Sequence, residues 1–223
     1  MGDEIVVRDV RPADGAALSR IWLDVAKYYV ELDPDAFQVP DEEGLAQWFE
    51  NDLREDLPDN WRTLVAEVRG EPAGWVTGHV EPPHPHAGRN FVRSITETRL
   101  VVDALIVAPS LWRNGVGSRL MGKIEEWARS QGASLSTLDT YVHSPVSVPF
   151  YETRMGYERR SLNFVKQLRP EWACRFRWKE KLCSGGVCRA EALSKADVLC
   201  VSVEVALPEH KVGHDPVDHG AHE

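Results

Sequence analysis

The most constraining stretch of the sequence is LIVAPSLWRNGVGSRLMGKIEEWARSQG, residues 105–132. The mostly apolar run that ends at Val107 is typical of a central strand buried on both faces, and Pro109 ends it because proline lacks an amide N–H. Beyond Gly117 apolar residues recur at helical spacing, and Gly132 follows as a C′ residue. These apolar residues are Leu120, Met121, Ile124, Trp127 and Ala128. The sequence therefore predicts a strand, a glycine turn and a helix, in that order.

The turn between the strand and the helix is suited to binding an anion. Several backbone N–H groups lie at the positive helix end, and Gly115 and Gly117 carry no side chain that would hold a ligand away. The geometry suits a pyrophosphate, although the pattern matches neither common nucleotide-binding glycine motif, because Lys123 falls too late and Leu120 stands where a third glycine is needed. A G-x-G turn fits tight packing at a strand–helix corner equally well. The residues alone leave both interpretations open.

Hydrophobic periodicity predicts the other elements of the chain. Asp14 is predicted to cap the first helix, and the segment GEP at 70–72 is predicted to join two strands of a hairpin. The proline-containing segment 81–90 is predicted to be a loop. Predicted helices are 15–32 and 41–55, and predicted strands are 5–10, 61–70, 72–82, 99–107 and 135–142.

Charge is distributed unevenly along the chain. The net charge is −9, and the segment 31–59 contains eleven acidic residues and one basic residue. Such a segment repels phosphate backbones, which argues against a nucleic-acid partner. It is either a solvated helical face or a surface that attracts a polycationic small molecule. No stretch reaches the roughly 18 apolar residues of a membrane span, and the N-terminus lacks a secretory h-region, so we expect a cytoplasmic protein without a membrane partner.

Cysteines and histidines give little support for a metal site. The cysteines lack a CxxC pair, although a zinc site using Cys183, Cys188, His210 and His214 is conceivable. The alternating histidines and prolines of 81–90 provide no fixed ligand geometry. We therefore predict no metal. The four cysteines are Cys174, Cys183, Cys188 and Cys200.

Two motifs together resemble a known family. The string V-A-P-S-L-W-R-N-G-V-G-S-R-L-M (107–121) resembles the acetyl-coenzyme A signature of the GNAT N-acetyltransferase superfamily, with Trp112 in place of the usual Gln or Arg. The segment F-Y-E…G-Y (150–157) is similar to that family's F-Y-E-x-x-G-F, with one extra residue before Gly156. The resemblance implies an α/β (α+β) GNAT fold over 1–169. Its sheet would be mixed, mostly antiparallel and twisted, splayed between strands four and five and flanked by about four helices.

The resemblance also implies chemistry, namely transfer of an acetyl group from acetyl-coenzyme A (acetyl-CoA) to an amine. Tyr151 matches the family tyrosine that commonly protonates the departing thiolate. Asp103 falls where the family often carries an acid; it is a general base, a carboxylate that binds a cationic substrate, or a group that faces solvent. The residues expected to bind the cofactor are Ile106, Val107, Arg113, Asn114, Gly115, Val116, Gly117, Ser118 and Ser144. The residues expected around the acceptor are Tyr28, Asp33, Glu81, Asp139 and His143.

Combined with this fold, the acidic segment 31–59 lies beside the acceptor site and favours a small cationic amine, such as an aminoglycoside-like antibiotic or a polyamine. Two alternatives stay open: acetylation of a protein N-terminus or lysine, and a non-catalytic acyl-CoA-binding module. The resemblance ends near Pro170. We predict that 170–223 is an extension with one extra strand near 198–207, where a homodimer could form, and a disordered end.

Overall fold

The computed structural model describes residues 4–54 and 57–166, which contain a five-stranded sheet in the order β1-β2-β3-β4-β5. Neighbouring strands are antiparallel except for β4 and β5, which are parallel. The predicted mixed, mostly antiparallel sheet is therefore confirmed. The strands are β1 Ile5–Asp9, β2 Trp61–Val68, β3 Glu71–Glu81, β4 Arg99–Val107 and β5 Leu135–Leu138.

Four helices cover the two faces of the sheet, as predicted. The helices are α1 Gly15–Leu32, α2 Leu45–Asp52, α3 Val116–Ser130 and the short α4 Ser147–Pro149, which continues into a π turn at Phe150–Arg154. α1 and α2 pack around Val65 and Trp75 on one face, whereas α3 packs on the other face through its apolar stripe, including Ile124. Burial of each such side chain contributes about 1.5–3 kcal/mol to folding. No helix in the described ranges is long and apolar enough to cross a membrane.

Three local predictions are wrong in detail. The second helix begins at Leu45 rather than at 41, because Gly44 has a left-handed φ of 75°. The turn of the β2–β3 hairpin is Arg69-Gly70 rather than GEP: both residues have positive φ, 56° and 82°, as a two-residue type I′ turn requires. Asp14 does stand at the N-cap position of α1, but its carboxylate accepts hydrogen bonds from Arg8 and from the Arg11 N–H instead of capping that helix.

The end of the domain also departs from the prediction. β5 stops at Leu138 instead of 142, where it separates from β4. The segment 156–166 carries neither helix nor strand, and its side chains are mostly polar and exposed. The predicted boundary at 169/170, the extra strand near 198–207 and the four cysteines lie outside the described residues.

Candidate active site

The glycine turn ends in a set of main-chain donors at the start of α3. Arg113 and Gly115 have left-handed φ values of 66° and 89°, which turn the chain sharply into the helix. The first N–H groups of a helix have no intrahelical acceptor, and no side chain caps α3. The amides from Gly115 to Ser118 are therefore available to an anion at the positive end of the helix. The Asn114 N–H, by contrast, donates to the Leu111 carbonyl at 3.3 Å.

A shallow depression of about 540 Å³ adjoins this turn. Its lining residues include Ser118, Arg119 and Arg154, together with Glu4. Neither arginine was among the predicted site residues. Arg119 lies in the first turn of α3, and this position beside the glycines could have indicated a role in binding an anion. Arg154 lies in the π turn, which no sequence pattern predicted.

β4 and β5 diverge at Asp103. The two strands pair from Arg99 opposite Leu135 to Val102 opposite Leu138, and β4 then continues alone to Val107. The register between β3 and β4 shifts at the same place, where Asp103 is the extra residue. Such a β-bulge re-aims a side chain and breaks the regular ladder. The predicted divergence of strands four and five therefore coincides with the predicted acid.

The bulge determines which main-chain groups of β4 face the gap. The Ala108 N–H donates to the Ala73 carbonyl at 3.0 Å, and alternate residues of an antiparallel strand bond to the same neighbour. Ile106 therefore directs its main-chain groups at β3, whereas Leu105 and Val107 direct theirs at the gap. Leu105 was not among the predicted site residues. The indole N–H of Trp112 donates a hydrogen bond to the Val107 carbonyl at 2.8 Å, so Trp112 joins the glycine turn to the end of β4.

A chain of polar side chains extends from Asp103 across the sheet. Asp103 Oδ2 lies 2.8 Å from Nδ1 of His79, whose Nε2 lies 3.3 Å from Oε1 of Glu81. The other carboxylate oxygen of Glu81 accepts a hydrogen bond from Arg99. The structure thus brings the predicted residues Asp103 and Glu81 together through His79, which was not among the predicted site residues.

Tyr151 lies in the π turn, next to the core. The Met155 N–H donates to the Phe150 carbonyl at 3.1 Å, an i→i+5 bond that accommodates the extra residue noticed before Gly156. Burial, helped by nearby Tyr29, raises the pKa of Tyr151 to about 12, so the phenol stays protonated at neutral pH. Its aromatic ring packs 5.1 Å from that of Phe150 and 5.8 Å from that of Tyr157.

Gly117 has a packing role in addition to the predicted one. A Cβ at this position would lie 3.3 Å from Cζ of Phe150 and 3.9 Å from Cδ2 of Leu105. The absent side chain therefore lets α3 approach the π turn that carries Tyr151. Both interpretations of the glycine turn, anion binding and tight packing, have support at this corner.

Of the predicted acceptor residues other than Glu81, the structure brings Asp33 and His143 together. Asp33 accepts a hydrogen bond from the Tyr141 hydroxyl, which lowers the pKa of this carboxyl, and His143 lies beside them with its ring 5.5 Å from that of Tyr141. Tyr28 packs edge-on against Trp112 at 4.7 Å. Asp139 is exposed just beyond the end of β5.

Among the residues described here, no group of three or more His, Cys, Asp or Glu side chains is arranged to hold a metal ion.

Ser144, predicted to contact the cofactor, is almost fully buried. Its hydroxyl oxygen accepts a hydrogen bond from the Ser147 N–H at 3.0 Å and lies 3.5 Å from the Tyr29 hydroxyl. The Ser147 hydroxyl lies 2.9 Å from that of Tyr29. These bonds join α1 to the start of α4, and the cofactor contact stays a prediction.

Proteins similar to this chain include N-acetyltransferases. A curated relative, the aminoalkylphosphonate N-acetyltransferase of Salmonella typhimurium, is 31% identical over 112 residues, which cover 50% of this chain and 66% of the relative, just under two thirds of its length. Glucosamine-6-phosphate N-acetyltransferase from Arabidopsis thaliana has a TM-score of 0.53 at 16% identity, covering 75% of this chain and 100% of that one. A transcriptional regulator from Bacillus halodurans C-125 has a TM-score of 0.53 at 17% identity, covering 74% and 99%.

The two solved structures establish a shared fold and no more at such low identity. A profile of the acetyltransferase (GNAT) family matches residues 21–157, which include both motifs, the diverging strands and the glycine turn. Acetyl-CoA-dependent N-acetyl transfer, the predicted enzyme class, is the chemistry of that family. This chain therefore belongs to the acetyltransferase (GNAT) family, as the resemblance implied.

Proposed function

We propose that this domain transfers the acetyl group of acetyl-CoA to a primary amine of a small cationic molecule, with an aminoglycoside-like antibiotic or a polyamine as leading examples. The observation that carries the proposal is the arrangement along β4. The strand ends at the donor amides of Gly115 to Ser118, which suit a pyrophosphate, and it bears an exposed carboxylate, Asp103, where β5 departs. Between them the main-chain groups of Leu105 and Val107 face the gap, where a pantetheine arm would pair like an added strand.

Each step of the reaction has a candidate group. The acceptor ammonium loses a proton to Asp103, directly or through water, and its nitrogen attacks the thioester carbonyl. As the C–N bond forms and the C–S bond breaks, Tyr151 gives its proton to the departing thiolate and regains one from the attacking nitrogen. The net products are an acetamide, free coenzyme A and one proton. A phenol with a pKa of about 12 is fully protonated at the start of this cycle.

The chemical class of the acceptor amine is the most specific part of the proposal. Eleven acidic residues in the segment 31–59, together with Asp103 and Glu81 at the gap, favour a cation. A second acceptor class, an aminoalkylphosphonate, is suggested by the curated relative. Both classes present a primary amine, and they differ in whether a phosphonate accompanies it.

A thiol-release assay with acetyl-CoA and a panel of amines tests the proposal. The panel contains spermidine, an aminoglycoside, an aminoalkylphosphonate and a lysine peptide. We expect turnover with a cationic small amine, a loss of about 10²-fold or more in kcat for Asp103→Asn, and unchanged kcat for Glu126→Gln, an exposed control on α3. Acetyl-CoA binding by calorimetry without turnover of any amine would indicate a non-catalytic module. Preference for the peptide would indicate a protein acetyltransferase, and absence of both binding and turnover would overturn the enzymatic proposal.

A further inference from the structure

His79 is held between two carboxylates on the same face of the sheet. It lies on β3 opposite Val101 of β4, two residues before the bulge. Its Nδ1 is 2.8 Å from Asp103 and its Nε2 is 3.3 Å from Glu81. Because Asp103 is the bulged residue, it has no cross-strand partner of its own in the ladder, and the imidazole is the side chain that contacts its carboxylate.

The hydrogen-bonding chemistry requires a proton on Nδ1 of His79. A carboxylate can only accept, so the short contact to Asp103 requires a proton on Nδ1. The same rule applies to the 3.3 Å contact from Nε2 to Oε1 of Glu81, where the ring nitrogen can only be the donor. The ring therefore acts as an N–H donor to Asp103.

The imidazole is also fixed in orientation. The indole of Trp61 on β2 stacks on it, with ring centroids 4.3 Å apart and planes inclined by 15°. The His79 side chain is 14% exposed, whereas that of Asp103 is 34% exposed. A mostly buried, stacked donor thus holds one oxygen of a partly exposed carboxylate.

We propose that His79 is a positioning residue for Asp103: its Nδ1–H fixes the carboxylate in the orientation that receives the acceptor amine. This inference rests on the proposed function and assigns a role to a residue outside the predicted site. His79 touches no reacting atom. It acts through Asp103, and Trp61 and Glu81 support it by holding the ring plane and the far nitrogen.

Two substitutions separate the donor from the bulk of the ring. His79→Leu removes the donor, whereas His79→Asn keeps an N–H near the position of Nδ1. We expect His79→Leu to lower kcat by about 10- to 100-fold, since misplacement of a reacting group by an ångström costs about that much. KM for acetyl-CoA should stay within about twofold, because the donor amides of α3 are untouched. His79→Asn should recover most of the lost kcat.

A double-mutant cycle with Asp103→Asn distinguishes positioning from general destabilisation. If His79 acts through Asp103, adding His79→Leu to the Asp103→Asn variant causes no further loss of kcat. Thr63→Val is the matched control, because it breaks the 3.0 Å contact between the hydroxyls of Thr63 on β2 and Thr77 on β3 without touching Asp103. Its kcat should equal that of the wild type.

The outcomes are distinct for the two proposals. If the wild-type enzyme acetylates an amine and the His79→Leu variant has the same kcat, the positioning role is refuted and the proposed function is unaffected. The positioning role is also refuted if His79→Leu lowers kcat equally in the wild type and in the Asp103→Asn variant. It is likewise refuted if His79→Asn is folded by circular dichroism but does not recover kcat. Absence of any wild-type turnover would instead contradict the proposed function.

Discussion

Replacing Gly117 with alanine tests whether this glycine serves the cofactor or the tyrosine. An added Cβ would lie 3.3 Å from Cζ and 3.5 Å from Cε2 of Phe150. Carbon atoms pack best at about 3.5–4.0 Å, so Phe150 must move by a few tenths of an ångström. Tyr151 follows it in the same π turn and should move with it.

We expect the change to appear in kcat rather than in cofactor affinity. If a displacement of about 1 Å costs about 100-fold, a few tenths cost about four- to tenfold, or about 0.8–1.4 kcal/mol of transition-state stabilisation. The Kd of acetyl-CoA should stay within about twofold, because the new methyl group contacts Phe150 and not the donor amides. Thiol-release kinetics give kcat, and calorimetry with acetyl-CoA gives Kd.

Gly122 provides the matched control in the same helix. A Cβ at Gly122 meets no other atom within 4 Å, so Gly122→Ala should raise the free energy of unfolding by about 1 kcal/mol through helix propensity alone and leave kcat unchanged. For Gly117→Ala, acetyl-CoA binding weakened more than tenfold at an unchanged kcat would place the ligand against Gly117 itself. That result would refute the packing argument.

Three further predictions concern single residues. Gly115→Ala should lower the free energy of unfolding in urea by about 1–2 kcal/mol, because φ at this position is 89° and alanine is strained there. Asp14→Asn should cost about 1–2 kcal/mol, because the half-buried Arg8 keeps only one of its two carboxylate partners, Glu67. Burial raises the pKa of Asp14, but hydrogen bonds from Arg8 and the Arg11 N–H outweigh burial and hold this pKa below 3.8. The stability that results is present above pH 3.8 and is lost as the pH falls through the pKa of the folded state. The free energy of unfolding of the Asn variant should therefore fall less in acid than that of the wild type. Tyr151→Phe should lower kcat by about 10- to 100-fold. In the wild type, the stability that comes from the protonated phenol is lost as the pH rises from 10 toward the pKa of Tyr151, about 12. The free energy of unfolding of the Phe variant should therefore fall less over this pH range.

The elements with strong local signals were predictable from the sequence. β4 has the predicted bounds, and α3 ends with Gly132 in the left-handed conformation as predicted, because proline and glycine mark the boundaries of both elements. The hairpin turn was misplaced because Arg69 adopts positive φ, which a non-glycine residue rarely does and no pattern reveals. The early start predicted for the second helix has a similar cause: acidic residues at 41–43 favour a first turn, but Gly44 breaks it.

The candidate site was predictable only where it depends on the backbone motif. The donor amides of the turn follow from the order strand, glycine turn and helix. His79 and Leu105 were missed because their roles depend on the register of β3 with β4, and a shift of one residue changes which groups meet. Arg154 was missed because the π turn that carries it to the depression differs from an ordinary helix by a single residue.

The bulge at Asp103 explains why one strand can serve both halves of the site. Before it, the Thr98 and Leu100 carbonyls accept hydrogen bonds from the Ser134 amide and the Thr137 hydroxyl on the β5 side. A regular strand would continue this alternation and turn the main-chain groups of residues 104 and 106 toward the gap. The extra residue instead gives this orientation to residues 105 and 107, while Asp103 keeps its contact with His79. A chain that lacked the extra residue would therefore lose the acid and present the cofactor with different main-chain groups, so the two halves of the site depend on the same irregularity.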